Sequence, residues 1–163
     1  MPVKTLNDLF RRTLQDVFYA EQQTLKANEK FVKKATLPQL KAVITQNKTD
    51  IEKRIGRLEA VFRSLKMPAE PHKTAGIDGI LSEADTLSHE VVDADTRDAG
   101  LLAAIQEIEH YAINRYGTLL AWAGQLGLKD ATPGLKENLN ASKERDKALS
   151  TVAETSVNRM AAA

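Results

Sequence analysis

One carboxylate inside an apolar stripe constrains this chain more than any other feature. The stretch Ile105 to Trp122, IQEIEHYAINRYGTLLAW, reads as the middle of a long helix in which Leu101, Ile105, Ile108, Ala112, Tyr116, Leu119 and Ala123 recur at three- and four-residue steps. Glu109 lies within that stripe, four residues after Ile105 and three before Ala112. A helix that buries its neighbours therefore carries a charge in with them. A carboxylate taken out of water needs a cation, a proton or a hydrogen-bond donor, so other segments must bring such a group to the same depth.

Three further long helices are expected. Thr5 with Asp8 resembles a capping box, and Leu6, Leu9, Phe10, Leu14, Val17, Phe18, Leu25 and Val32 predict a helix to about Lys34 with Glu21 on its stripe. The next is expected to open at Thr36, with Pro38 in the first turn and Gln39 in the reciprocal capping position, and to run through Ile44, Ile51, Leu58 and Leu65. Its stripe breaks at TQNKTD, which puts Asn47, Asp50 and Arg54 on or beside the buried face. The opening stretch belongs to a third helix, from about Thr96 to Gln125, closed by Gly127. Thr132 as N-cap and Pro133 as first residue open the last, which runs through Leu135, Leu139, Leu149, Val152 and Val157 with Ser142 and Asp146 completing its stripe. Residues 158–163, NRMAAA, are expected to fray.

Between the second and third long helices, Met67 to Asp95 holds Pro68, Pro71, Gly76 and Gly79 and then the short amphipathic pattern Ile77, Ile80, Leu81, Ala84, Leu87 and Val91. That connection is far longer than the roughly two to eight residues of a tight helix–helix turn. The expected fold is all-α, a single domain over 1–163: a ferritin-like antiparallel four-helix bundle whose long crossover carries a short fifth helix. In such bundles metal sites lie on inward-facing side chains.

Charge and composition narrow the function. With 23 basic and 22 acidic residues, a formal charge of +1 and no basic block, nucleic-acid binding is not expected. No run approaches the roughly twenty apolar residues of a membrane span, and MPVKTLNDLFRR has no apolar signal region, so no membrane is expected and a cytoplasmic location is. The absence of cysteine leaves oxygen and histidine as the only ligands for any metal.

The expected long helices have midpoints near residues 20, 51, 111 and 146, and each bears one stripe acid there: Glu21, Asp50, Glu109 and Asp146. In an antiparallel bundle these midpoints share a layer, so the four acids are expected to converge, largely buried, as hard ligands for iron or manganese. An acid taken alone is usually at the edge of its stripe, in water or paired with Lys or Arg. Four in register bring that reading and a shared site level. The Glu-x-x-His pairs of a dinuclear site are absent, and His110, next to Glu109, points about 100° away from it. Arg54 has two readings, a fixed cation that replaces the ion among the carboxylates or a side chain snorkelling to solvent. In the first, it donates to at least one of Asp50, Glu109 and Asp146. Tyr111, Tyr116 and Trp122, at helical spacing, read as core or interface. No phosphate loop, nucleophile elbow or Ser-His-Asp order is present.

The segments KTLNDLF, YAEQQ, RLEAVF, IDGI, DAGLLAA, EHYAINRYGT and WAGQLG, in this order over about residues 4–158, together resemble the YciE/YciF family of ferritin-like bacterial proteins. The resemblance implies a helical bundle linked to stress responses, often dimeric, with no settled activity. The family's Ala-Glu on the first helix falls on Ala20 and Glu21, and its Glu-His-Tyr-Glu on the third falls on Glu109, His110, Tyr111 and Ala112. Its His-x-x-Glu-Thr on the second falls on Asn47, Asp50 and Ile51. Its paired Glu residues on the fourth become Ala141 and Ser142, with Asp146 kept. The expectation is a stress-linked structural or interaction protein, a homodimer, with a degenerate carboxylate site, no cofactor and no catalysis. The alternative is an iron or manganese protein with oxidase or peroxide-scavenging chemistry on Glu21, Asp50, Glu109 and Asp146.

Overall fold

The structure, a computed structural model, describes residues 2–163. Its helices are α1 (Leu6–Lys34), α2 (Pro38–Ser64), α3 (Ala75–Glu90), α4 (Ala94–Leu126) and α5 (Thr132–Val152), followed by a π-helical turn (Ala153–Val157) and α6 (Asn158–Ala162). The described residues contain no strand. The four long helices pack in a ring, α1 on α2, α2 on α5, α5 on α4 and α4 on α1, and α3 lies across α1 and α4.

Local chemistry accounts for most of the boundaries. Thr5 accepts from the Asp8 N–H at 3.1 Å while Asp8 accepts from the Thr5 N–H at 3.0 Å, the reciprocal pair that a capping box requires. Gly127 ends α4 with φ +67°, a left-handed geometry that costs glycine nothing. Two expected starts are corrected. Thr36 does not cap α2; Leu37 does, without a side-chain bond. The buried carboxylate of Asp98 on α4 takes over, accepting from Thr36 N at 2.9 Å, Thr36 Oγ1 at 2.7 Å and Leu37 N at 2.6 Å. A carboxylate satisfies several N–H groups at once and outcompetes a local amide such as Gln39. Likewise Ala131 precedes α5, and Thr132 lies inside the helix with its hydroxyl donating back to Leu128 O. The tail expected to fray is helical from Asn158 to Ala162, because Val157, 1% exposed, anchors the turn before it.

The core has two apolar halves. One gathers Phe31, Leu40, Ile44, Leu101, Ile105, Ile108 and Leu149. The other gathers Phe10, Leu14, Phe18, Leu58, Phe62, Leu119 and Leu135, with Phe18 and Phe62 edge to face at 5.3 Å. The early parts of α1 and α5 and the late parts of α2 and α4 lie in the second half, so neighbours in the ring run in opposite directions. What separates the halves along every long helix is a band of buried polar side chains.

α3 covers the first half and the band. Ile77 and Ala84 are buried beneath it, and Tyr19 on α1 donates to Asp78 at 2.8 Å. Gly100 on α4 meets Leu87 so closely that a Cβ there would overlap the Leu87 side chain. The loop before α3 is held on α1 by His72, whose N–H donates to Gln15 O at 3.2 Å and whose Nδ1 lies 2.6 Å from Asp16.

Candidate functional site

The polar band holds Glu21, Thr24 and Asn28 from α1, Asn47 and Arg54 from α2, Glu109 and Tyr116 from α4, and Asn138, Ser142 and Arg145 from α5, all buried. Each occupies a step of three or four residues within an apolar stripe, which is why helix packing carries it inward. Arg54 is the centre. It is 1% exposed and its Nη1 and Nη2 donate to Glu109 Oε2 and Oε1 at 3.3 and 3.5 Å. Its Nε lies 2.9 Å from Glu21 Oε1, but the N–H is not aimed at that oxygen, so the contact is an ion pair without an aligned hydrogen bond. The fork on Glu109 is longer than the 2.7–2.9 Å of strong charge-assisted pairs.

Glu21 is held from the other side by Tyr116, whose hydroxyl donates to Oε1 at 2.7 Å. Asn138 then donates to the Tyr116 oxygen at 3.2 Å and to the Arg54 carbonyl at 3.0 Å, tying α5 to α2 and α4. One turn away, Asn28 donates to Ile44 O at 3.1 Å and Asn47 donates to Asn28 at 3.3 Å. Arg145 reaches across to Val43 O.

Charges in such a place shift one another. Burial works against the Arg54 cation, but the Glu21 and Glu109 charges together outweigh it and hold its pKa above the ordinary value. Burial pushes the Glu109 carboxyl up; Arg54 pulls it back in part, Glu21 adds to the rise, and Arg145 and the Ser142 hydroxyl oppose it. Burial and then Glu21 push the Tyr116 hydroxyl well above its usual range, so it stays a donor. Burial pushes Arg145 down to about 10, against the pull of Glu109 and Asp50, which leaves it a cation at neutral pH.

Two of the four expected acids meet at Arg54, Glu21 and Glu109, and two do not. Asp50 is only half-buried, because the inward residues of α2 are Ile44, Asn47, Ile51, Arg54 and Leu58 and Asp50 lies one position off that line. Asp146 faces His110 at 3.1 Å and Gln106 at 3.2 Å, on the outer seam of α4 and α5. Steps of three and of four are both helical, and from Ser142 the inward step is three, to Arg145, not four, to Asp146. Arg145 and the amides Asn28, Asn47 and Asn138 carry no periodicity of their own, and only their place in an apolar stripe marks them. None of the three histidines reaches the band: His72 sits on Asp16, His110 on Asp146, and His89 lies 3.4 Å from Lys34. Among the described residues no group of three Asp, Glu or His side chains gathers in a way that could hold a metal ion. The core-facing positions 47, 112 and 142 present an amide, a methyl and a hydroxyl.

This arrangement defines an all-helical protein with a charged and amide-rich layer sealed between two apolar half-cores. The chain belongs to the family described as a domain of unknown function, DUF892, which it matches over residues 5–162. It is 32% identical to protein YciF of Escherichia coli K12 over 162 residues, 99% of this chain and 98% of YciF. Among solved structures, YcfI of Rhodopseudomonas palustris, for which a structural role has been suggested, superposes with a TM-score of 0.91 at 40% identity, over 93% of this chain and 96% of that one. The crystal structure of the E. coli stress protein YciF gives 0.91 at 32%, covering 96% and 99%. A Xanthomonas campestris protein shares the fold, with a TM-score of 0.74 at 17% identity over 96% of each chain. No helix among the described residues is long and apolar enough to cross a membrane.

Proposed function

We propose that this chain is a ferritin-like four-helix bundle acting as a stress-linked structural or interaction protein, in which Arg54 takes the place that an ion would hold among the core carboxylates. The observation that carries this reading is Arg54 itself, 1% exposed and set against both Glu21 and Glu109. Two carboxylates near two guanidiniums, Arg54 and Arg145, are neutral as a group without an ion. The donor set does not fit a dinuclear carboxylate centre either. Such a centre needs Glu and His on facing helices, whereas positions 47, 112 and 142 are Asn, Ala and Ser, and Asp50 and Asp146 turn away from the layer.

The description of YciF as a stress protein supports the stress link, and the role suggested for YcfI supports a structural task. The same reading makes the protein cytoplasmic and homodimeric, without nucleic acid, membrane or cofactor among its partners. Elemental analysis of protein purified without chelators tests it, together with sizing by light scattering. Iron and manganese well below one equivalent, in a dimer, are the expected outcome. Stoichiometric metal with oxygen or peroxide turnover overturns it in favour of oxidase or scavenging chemistry.

A further inference from the structure

Between α1, α2, α4 and the start of α3 lies a small, partly open cavity of about 10 Å³ lined by Glu21, Arg54, Tyr111 and Ile77 among others. That is the size at which a cavity accommodates one water molecule, and only a polar cavity with two to four partners keeps one. Two of the lining side chains carry buried polar atoms with no aligned hydrogen bond in the protein: Tyr111 Oη, and Arg54 Nε, which has only its ion-pair contact with Glu21 at 2.9 Å. A buried donor left unsatisfied loses the bonds it made to water, and such atoms are rare in folded proteins. The Glu21 carboxylate on the same wall is an acceptor.

We propose that this cavity is a binding site for one small hydrogen-bonding molecule, a water, that accepts from Arg54 Nε, bonds the Tyr111 hydroxyl and donates toward Glu21. One donor, one group that both donates and accepts, and one acceptor match the bonding capacity of water. An apolar molecule of that size would leave both orphaned atoms unpaired. The site also adds a polar link between the crossover helix and the bundle, beside the bond from Tyr19 to Asp78. The Tyr111 ring lies directly under α3, where a Cβ on Gly76 would stand 3.1 Å from Cε2. The bound water thus links the crossover helix, through Tyr111, to the core ion pair.

Two measurements test this. A crystal structure of the wild-type protein, at a resolution where ordered waters are visible, is expected to show one within hydrogen-bond distance of both Arg54 Nε and Tyr111 Oη. A dry cavity, or protein partners for both atoms, overturns the proposal. Oxygen-17 relaxation dispersion counts long-lived internal waters in solution without a crystal. Ala20→Val, which adds two methyl groups to the cavity wall, is expected to lower that count by one while the helical circular dichroism is kept. An unchanged count in the folded variant overturns the site. Should Ala20→Val fail to fold, Tyr111→Phe serves instead: it keeps the ring, removes the oxygen, and is expected to lose the water or speed its exchange, and an unchanged count and rate refute the site.

Discussion

Tyr116 and Glu21 are joined at 2.7 Å across the core, and the oxygen that accepts from the phenol, Oε1, is the same one that Arg54 approaches at 2.9 Å. The phenol therefore completes the carboxylate rather than merely filling space. Tyr116→Phe keeps the ring and removes one bond to a charged acceptor, at a cost of about 1.5–3 kcal/mol. Urea unfolding measures it. A loss under about 0.5 kcal/mol, the size of a surface change, would mean that Glu21 finds another donor.

Arg54→Ala strands Glu21 and Glu109 without a cation and is expected to cost about 3–5 kcal/mol. Replacing Arg54, Glu21 and Glu109 together, by Arg54→Met with Glu21→Gln and Glu109→Gln, is expected to recover part of that loss, since Arg145 then remains the one buried charge of the group, attracted by Asp50 alone. Manganese(II) is expected to raise the Tm of Arg54→Ala and leave the wild type unmoved, because an ion stabilises only a fold that it binds more tightly than the unfolded chain. Equal Tm values with and without manganese would show that the guanidinium does not stand where an ion can.

Glu109 sets a pH dependence. Its folded pKa is raised above 4.5, chiefly by burial. The folded state then holds the proton more tightly than the unfolded one, so the contribution of this group to stability is full below 4.5 and is lost as pH rises through the folded value. In Glu109→Gln that loss disappears. The stability of the wild type relative to the variant, followed by chemical denaturation upward from acidic pH, is expected to fall. A difference that is flat or rises with pH would place the proton elsewhere.

Gly100 and Leu87 hold α3 against α4 by close approach. Gly100→Ala overlaps the Leu87 side chain and is expected to cost about 1–3 kcal/mol, as other overpacked sites do. The Leu87 tip is flexible, and Leu87→Ala in the same chain is expected to relieve most of that cost. A double-mutant cycle with coupling below about 0.5 kcal/mol would show that α3 adjusts freely.

How much of this was legible in the sequence depended on how local each signal is. The Thr5–Asp8 box and Gly127 rest on neighbours within a turn, and they are read directly. Glu21 and Glu109 were visible because each lies between apolar residues at helical steps that draw it inward; Arg54 kept two readings, core cation or snorkelling side chain, and only the packing of α2 on its neighbours decides between them. Asp98 was not, since the groups that it bonds lie 61 and 62 residues away and leave no periodic trace. Arg145 and Asp146 are adjacent, and only the packing of α5 on α2 and α4 decides which of them turns in. Tyr116 read as an ordinary core aromatic because its ring is one; the partner of its hydroxyl belongs to another helix.

The Asp98 carboxylate also bears on the order in which the chain acquires its shape. The turn between α1 and α2 is short and local, yet the N–H groups that open α2 find their acceptor on α4. A peptide made of α1 and α2 alone would therefore begin its second helix with those groups open to water. Helix–turn–helix halves of a bundle often serve as separate folding units, but here the first half is finished only by the second. Hydrogen exchange at Thr36 and Leu37 should thus report the docking of α4, and synthesis of the chain past residue 98 marks the earliest point at which α2 is secured at its start.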